Sequence, residues 1–338
     1  MSSVYKVAEV TIMTAEMFVV LSPILLLSFG IVLSLLLIAW QRSQKMIAIF
    51  CQIILVFTLL LSIHLLNGNL LNGAGVQVTT LLKVDQISYL SLVLICISAL
   101  VVVNLSSQLL KSQIEVHDEY YLLILLVILG AAILVVSDHF ASMFLGFELL
   151  SISLVGLVGY FREQKYAVET GFKYLILSAS ASSFMLLGIA FIYAQVGDLS
   201  FAHLGNDNIN LITESVLYQL GFILFFSGIA FKLSLVPFHF WTPDVYQGSS
   251  TPVTLMLATI SKCAMFIVLL KCCFTVNHII FLQNTTIYNY ISWVAILSMI
   301  VGNSLALKQQ SIKRLLAYSS IAHMGYLLIL VLISGQGS

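Results

Sequence analysis

Four ionisable side chains interrupt long apolar stretches of this sequence. A charge inside a membrane-spanning segment costs at least about 2.5–3.5 kcal/mol, so each such residue is by default a candidate for function. They are Glu148 in FLGFELLSISLVG, Lys173 in ETGFKYLILSAS, Lys232 in SGIAFKLSLVPFHFW and Lys262 in TLMLATISKCAMF. A single lysine of this kind is equally well explained as a structural ion pair or a snorkelling side chain, and Lys173 can reach the membrane interface. Four ionisable side chains on successive segments indicate a shared function.

Proton transfer is the chemistry that these residue types suit. A neighbouring carboxylate favours the charged form of a lysine, whereas burial favours the neutral form. A lysine whose carboxylate partner moves therefore alternates between holding and releasing a proton. Moving one charge against a potential of about 100 mV costs about 2.3 kcal/mol. The sequence contains no P-loop, no dinucleotide-binding glycine motif and no haem or iron–sulfur cysteine pattern, so that energy must come from a partner or an ion gradient.

Proline and histidine add a second signal close to Lys232. The apolar stretch 215–237 ends at Pro237, and Pro243 follows within PFHFWTPDVYQGSSTP. Proline removes a backbone donor and clashes with the preceding turn, and broken helices at membrane depth line cavities and ion sites. We therefore predict a broken seventh helix, although an ordinary helix followed by a loop has the same pattern. His239, just after the break, either relays protons near neutral pH or packs as a hydrogen-bonded histidine.

The remaining polar residues give weaker signals. His323 in YSSIAHMGY has the same two interpretations, with packing favoured, and Asp244 is interpreted as a cap or loop carboxylate. The serine-rich face of the sixth segment is more typical of close helix packing than of a channel. The five cysteines form no CxxC pair, so they indicate neither a zinc site nor a disulfide framework.

The composition places these residues in membrane-spanning helices. Of 338 residues, 60% are hydrophobic and 8% are charged, and the mean hydropathy is +1.08. Soluble domains carry about 25% charged residues, so a soluble enzyme and a disordered chain are both excluded. Lysine plus arginine balance aspartate plus glutamate at 14 each, which leaves no basic field for nucleic acid. Ten apolar segments are long enough to span a bilayer: 17–40, 46–66, 86–106, 120–137, 139–161, 167–195, 215–237, 252–274, 288–307 and 313–334.

Basic residues predict how these segments are oriented. The loops that follow odd-numbered segments carry eight lysines and arginines, against three on the other side, Lys6, Lys83 and Lys271. By the positive-inside rule, the loops after odd-numbered segments are cytoplasmic and both termini face the opposite side. The first segment is too long for the core of a signal peptide and lacks a cleavage site, so we predict that it spans the membrane.

The stretch from about residue 85 to residue 330 resembles the antiporter-like subunits of respiratory complex I, the proton-pumping NADH:quinone oxidoreductase. The resemblance rests on VDQISYLS, GFELLSISLVG, KYLILSASASS, AFKLSLVPFHFWTPDVYQGSSTPVTLMLATISK and NSLALKQQSIKRLLAYSSIAHMGYLL. The string HFWTPDVYQGSSTPVT is its most specific part, and the PDVYQG form is similar to subunit N of that family. The first 84 residues match only as apolar helices.

The resemblance implies roles for the charged residues. In this family a glutamate of the fifth helix pairs with a lysine of the seventh, which corresponds to Glu148 and Lys232. A lysine of the eighth helix forms the central relay, which corresponds to Lys262. Lys173 fits the lysine that subunit N carries on the sixth helix, and His239 completes the predicted proton path.

The implied fold is an all-α polytopic membrane protein of the antiporter-like type. Residues 1–110 would form three N-terminal helices, and residues 111–276 would form the first five-helix repeat with its broken seventh helix. Residues 277–338 would begin a second, inverted repeat. Because family members have a second broken helix with its own lysine, we expect this chain to be a fragment, a truncated product or one half of a split gene.

The implied function is proton translocation by a membrane-arm subunit of NADH:quinone oxidoreductase. The subunit would do no redox chemistry and hold no cofactor; NADH, FMN, iron–sulfur clusters and quinone would belong to partner subunits of the translocase. The expected surroundings are a bacterial inner membrane, with the N-terminus periplasmic, and the other membrane-arm subunits, with no nucleic acid. Two alternatives stay open: a subunit of a multisubunit Na⁺/H⁺ antiporter, and a structural fragment that does not pump.

Overall fold

The computed structural model describes residues 15–40, 43–68, 75–110, 119–162, 166–201, 215–275 and 285–334. Within these ranges the chain forms twelve helices and two short strands. The helices are α1 (Ala15–Trp40), α2 (Gln44–Asn67), α3 (Gln86–Leu110), α4 (Glu119–Val136), α5 (Phe140–Val158), α6 (Ala167–Val196), α7 (Val216–Leu233), α8 (Trp241–Gly248), α9 (Thr251–Ala258), α10 (Ile260–Thr275), α11 (Thr285–Ala306) and α12 (Ile312–Ser334). The strands are β1 (Val76–Gln77) and β2 (Lys83–Val84).

The predicted all-helical membrane fold is confirmed, because ten helical spans are long and apolar enough to cross a membrane. The eighth span, Thr251–Cys272, combines α9 and α10. The sequence analysis predicted this span as one apolar segment, 252–274. The structure instead interrupts it at Thr259, whose hydroxyl donates to Leu255 O at 2.8 Å. Such back-bonding by threonine often bends a helix.

Close backbone approaches hold the helices together in pairs. At Gly130 of α4, an added Cβ atom would lie 2.7 Å from the backbone nitrogen of Leu150 in α5. Gly188 of α6 lies against the backbone of Phe225 in α7 with no room for a side chain. Small residues permit this approach, which matters in lipid because apolar surroundings provide no hydrophobic drive for helix association. Among the described spans, α4 and α7 are the most enclosed, each with 67% of its apolar window buried.

The predicted break in the seventh span is present, but it lies earlier than the apolar stretch suggested. Helix α7 ends at Leu233, four residues before Pro237, and Ser234 adopts a left-handed φ of 64°. The physical reason is that a proline ring clashes with the carbonyl four residues before it. Trp241 of α8 then donates from Nε1 to Phe231 O at 2.9 Å, so a carbonyl of the last turn of α7 is satisfied from across the break.

The opposite end of the bundle carries a short hairpin. Strands β1 and β2 pair antiparallel. The N–H of Asp138 donates to Leu81 O at 3.1 Å, which joins this hairpin to the turn between α4 and α5. We call this side of the molecule, marked by Asp138, the hairpin end. We call the side on which α8 lies the broken-helix end.

The predicted division of the chain stays a prediction. Its two boundaries, after residues 110 and 276, border on stretches outside the described residues.

Candidate functional site

Lys232 lies in the last turn of α7 with only 1% of its surface exposed. Its Nζ atom donates to Ser151 Oγ of α5 at 2.8 Å and to Tyr174 Oη of α6 at 2.9 Å. The same Nζ lies 5.1 Å from the centre of the Phe147 ring and 5.4 Å from that of Tyr174. Three helices therefore enclose one amino group, and its hydrogen-bond acceptors are neutral hydroxyls.

Glu148 lies on α5 three residues before Ser151, so the two side chains share a helix face. Its charge attracts Lys232, but within the described part of the chain no ion pair of 4.0 Å or less joins the two residues. This corrects the direct contact that the family resemblance implied, because Lys232 is hydrogen-bonded to Ser151 instead. Glu148 Oε1 is buried and accepts no hydrogen bond from a described protein group.

Lys262 occupies the first turn of α10 and is also 1% exposed. Its Nζ donates to Ser320 Oγ of α12 at 2.6 Å. The ring centre of Tyr246, on α8, lies 5.8 Å from the same nitrogen. The site thus repeats the arrangement around Lys232: a hydroxyl acceptor, an aromatic face and no described carboxylate in direct contact.

Hydroxyl partners suit a lysine that changes its protonation state. A hydroxyl oxygen accepts a hydrogen bond from an ammonium group, and the hydroxyl hydrogen can be donated to a neutral amine. A carboxylate accepts only, so it stabilises the charged form alone. Lys232 and Lys262 can therefore be satisfied both with and without the proton, which is the requirement for a relay.

The break between the two lysines carries further buried polar atoms. Ser234 Oγ and Thr242 Oγ1 are buried and make no hydrogen bond with any described group. His239 is 4% exposed, and its ring centre lies 4.5 Å from that of Phe240. Because an unpaired polar atom in apolar surroundings is costly, this segment is suited to ordered water, which binds where two or more polar groups converge.

Lys173 lies apart from this group, on the surface of α6. Half of its side chain is exposed, and Nζ lies 2.8 Å from Glu169 Oε1 and 3.8 Å from Asp244 Oδ2. Lys173 therefore lies outside the group of buried lysines and reaches the surface, which the sequence analysis had allowed. Asp244 also lies 3.3 Å from Arg314 NH2, so it joins α6, α8 and α12 at the broken-helix end.

Lys271 is the buried lysine that the sequence analysis missed. It is 8% exposed, and its Nζ lies 3.5 Å from Asp85 Oδ2. The sequence analysis assigned it to a loop, although the predicted segment 252–274 already contained it. The signal that could have found it is its position within an apolar segment, nine residues after Lys262.

Other candidates have simpler surroundings. His323 is exposed, and its ring centre lies 6.4 Å from that of Tyr326. Among the described residues, no three His, Cys, Asp or Glu side chains cluster so as to hold a metal ion.

Comparisons with known proteins show which family and which solved structures this chain resembles. The profile of the family described as "NADH:quinone oxidoreductase/Mrp antiporter, TM" matches residues 137–338. A chain of respiratory complex I from Thermus thermophilus with bound aureothin is 32% identical in sequence, with a TM-score of 0.76. A chain of the membrane-bound sulfane sulfur reductase, an archaeal respiratory membrane complex, is 23% identical with a TM-score of 0.77, a likeness of fold alone.

The chain accounts for part of each of these solved relatives. The alignments cover 93% and 94% of this chain but 64% of each solved chain. The matched family region, 137–338, contains every charged residue singled out above except Asp85.

Proposed function

This chain belongs to the NADH:quinone oxidoreductase/Mrp antiporter transmembrane family, and from that premise we propose that it is a proton-translocating membrane subunit of a complex I-type NADH:quinone oxidoreductase. Within that family we assign it to subunit N, because of its PDVYQG string. The energy for proton translocation would come from electron transfer in partner subunits. The chain itself would do no redox chemistry.

The single observation that carries this proposal is the pair of buried lysines with neutral hydroxyl partners. Lys232 and Lys262 lie on either side of the break between α7 and α8, each 1% exposed. Burial of this kind is costly for a charge, and a structural lysine would be expected to have a carboxylate in direct contact. Hydroxyl partners instead accommodate both the amine and the ammonium.

The proposed route begins at the broken-helix end. Lys173, Glu169 and Asp244 line a pocket of about 310 Å³ there, which gives protons access to the protein surface. Tyr174 follows Lys173 on α6 and faces inward, where its hydroxyl contacts Lys232 at 2.9 Å.

From Lys232 the proton would pass to Lys262 through water held near Ser234, His239 and Thr242. Glu148 would bias the transfer, because its charge attracts the proton at Lys232 without fixing it in a direct ion pair. Its partners in the working assembly would be the other membrane-arm subunits, and NADH, FMN, iron–sulfur clusters and quinone would be bound by those partner subunits. By the positive-inside rule, the broken-helix end would face the cytoplasm of a bacterial inner membrane.

A Na⁺/H⁺ antiporter subunit is the second candidate function. The observation that favours it is the family description itself, which covers Mrp antiporters as well as NADH:quinone oxidoreductase. An ion gradient would then supply the energy for proton transfer through the same lysines.

A mild-detergent pull-down from native membranes separates the two candidates. Capture of NADH-oxidising, quinone-reducing subunits supports the first, and capture of antiporter chains alone supports the second and contradicts the first. Intact-mass measurement of the captured chain gives its full length.

The relay itself is tested in everted membrane vesicles that contain the assembled complex. Lys232→Met and Lys262→Met should each abolish NADH-driven proton uptake, whereas Lys308→Met should not. Lys308 is an exposed lysine after α11 and provides the matched control. Proton uptake at the wild-type rate in both relay variants, in complexes shown to be assembled, would contradict the proposal.

A further inference from the structure

A third buried lysine lies at the hairpin end, away from the proposed route. Lys271 Nζ donates to Ser88 Oγ at 2.8 Å and lies 3.5 Å from Asp85 Oδ2. It also contacts the backbone oxygen of Lys83 at 3.4 Å. Unlike Lys232 and Lys262, this lysine has a carboxylate partner in direct contact.

Two hydrogen bonds from Ser88 fix the orientation of the Asp85 carboxylate. Ser88 Oγ donates to Asp85 Oδ1 at 2.7 Å, and Ser88 N–H donates to the same oxygen at 2.7 Å. Asp85 therefore caps the start of α3 while its second oxygen faces Lys271. The ammonium of Lys271, the hydroxyl of Ser88 and the carboxylate of Asp85 form one chain of donors and acceptors between α10 and the start of α3.

The cluster joins elements that are distant in sequence. Asp85 follows β2, and Lys271 lies near the end of α10, more than 180 residues later. Asp138, from the turn between α4 and α5, also attracts Lys271 and is 6% exposed. Its N–H holds the hairpin through Leu81 O. One lysine thus connects α10 to the hairpin and to the start of α3.

The same helix positions Lys262. Nine residues separate Lys262 from Lys271, which is about two and a half helical turns, or about 13–14 Å. The two side chains therefore leave α10 on opposite faces, Lys262 toward Ser320 and Lys271 toward Asp85. Two backbone hydrogen bonds cross the interruption at Thr259 and hold the near end of α10 to α9: Thr259 N–H donates to Leu255 O at 2.9 Å, and Cys263 N–H donates to Thr259 O at 2.8 Å. The contacts of Lys271 hold the far end of α10.

We propose that Lys271 is a positioning residue whose ion pair with Asp85 anchors the end of α10 and so places Lys262 for proton transfer. The transport part of this proposal rests on the proposed function; the anchoring part does not. Lys271 itself exchanges no proton in this role, so any side chain that keeps the positive charge and the contact with Asp85 should preserve it.

Three substitutions separate anchoring from proton exchange. Lys271→Met removes the charge, whereas Lys271→Arg keeps the charge and holds its proton permanently. Asp85→Asn removes the partner charge while its amide oxygen can still cap Ser88, so the start of α3 is retained. Lys83→Met is the matched control, because the contact from Lys271 is to the Lys83 backbone and survives the substitution.

Amide hydrogen exchange in the intact complex tests the anchor directly. Loss of one partner of a buried ion pair should speed exchange in the hairpin and the first turn of α3 by about a hundredfold, if these regions open locally. We expect this in Lys271→Met and Asp85→Asn, and wild-type exchange in Lys271→Arg and Lys83→Met. Unchanged exchange in Lys271→Met would overturn the anchor.

Proton uptake in everted vesicles tests the positioning. We expect at least a tenfold loss for Lys271→Met and Asp85→Asn, and rescue by Lys271→Arg. An arginine variant that is as inactive as the methionine variant but keeps its slow exchange would overturn the proposal in favour of proton exchange at Lys271. Full uptake in the methionine variant would overturn it as well. If the wild-type complex moves no protons, the proposed function fails. The amide hydrogen exchange measurement still tests whether Lys271 anchors the end of α10.

Discussion

Tyr174 offers a sharp test of the hydroxyl partners, because Tyr174→Phe removes one oxygen and keeps the ring. Its Oη atom accepts the hydrogen bond from Lys232 Nζ at 2.9 Å, while the ring centre lies 5.4 Å from that nitrogen. The ring is packed against Phe231 and Trp241, so phenylalanine fits the same space. Any change in transport would therefore come from the missing hydroxyl.

The magnitude follows from the hydrogen bond that is lost. A hydrogen bond to a charged group contributes about 1.5–3 kcal/mol, and each 1.36 kcal/mol corresponds to about a tenfold change in rate. We expect proton uptake per assembled complex to fall about 10- to 150-fold when the loaded state of Lys232 loses this contact. Ser151 Oγ remains at 2.8 Å, so uptake should fall further when Ser151→Ala is added.

The assay is NADH-driven proton uptake in everted vesicles, normalised to assembled complex. Tyr89→Phe is the matched control: its buried hydroxyl donates to Val20 O of α1 at 2.9 Å rather than contacting a lysine of the proposed relay. It should lower stability by about 1 kcal/mol and leave uptake per complex unchanged. Wild-type uptake in Tyr174→Phe would refute the reasoning, and an equal loss in Tyr89→Phe would show that the effect is not specific to Lys232.

Three further predictions concern packing, surface charge and pH. Gly130→Ala, which would place a Cβ atom 2.7 Å from the Leu150 backbone nitrogen, should destabilise the chain by about 1–3 kcal/mol, measured as a lower unfolding temperature. Asp244→Asn should change that stability by less than about 1 kcal/mol, because its ion pairs are solvent-exposed. Burial lowers the pKa of His139, so its neutral form is favoured in the folded state. The stability that neutral His139 contributes is complete above the histidine pKa of the unfolded chain, about 6.5. It is lost as the pH falls from there through the lower pKa of the folded state. Unfolding measured from pH 8 to pH 5 should therefore show a smaller pH dependence in His139→Ala.

The spans were predictable because length and apolarity alone identify them. The break was also predictable, since Pro237 interrupts an apolar stretch and prevents α7 from continuing beyond Leu233. The interruption at Thr259 was not, because threonine back-bonding occurs in many continuous helices. Only the packing of α9 and α10 against their neighbours decides whether the backbone departs from regular helix geometry at such a residue.

The buried charges were predictable as residues but not as contacts. Hydropathy places Lys173 and Lys232 in equivalent apolar segments, yet one is half exposed and the other is 1% exposed. The exposure of each lysine depends on the helix face that it occupies. Because α6 has apolar residues on every face, its sequence does not show which face is buried. Likewise, the sequence predicts that Glu148 and Lys232 lie on neighbouring helices, but not that Ser151 receives the hydrogen bond.

The partners of the three buried lysines indicate different tasks. Lys232 and Lys262 have hydroxyl acceptors within 3 Å and no described carboxylate in direct contact, so either protonation state can be satisfied. Lys271 has Asp85 at 3.5 Å, and a carboxylate partner stabilises only the charged state. Two lysines of one helix, α10, are therefore placed in opposite electrostatic settings. A relay needs a side chain whose charge can change, whereas an anchor needs one whose charge is constant, and the arrangement on α10 separates the two requirements by about 13–14 Å.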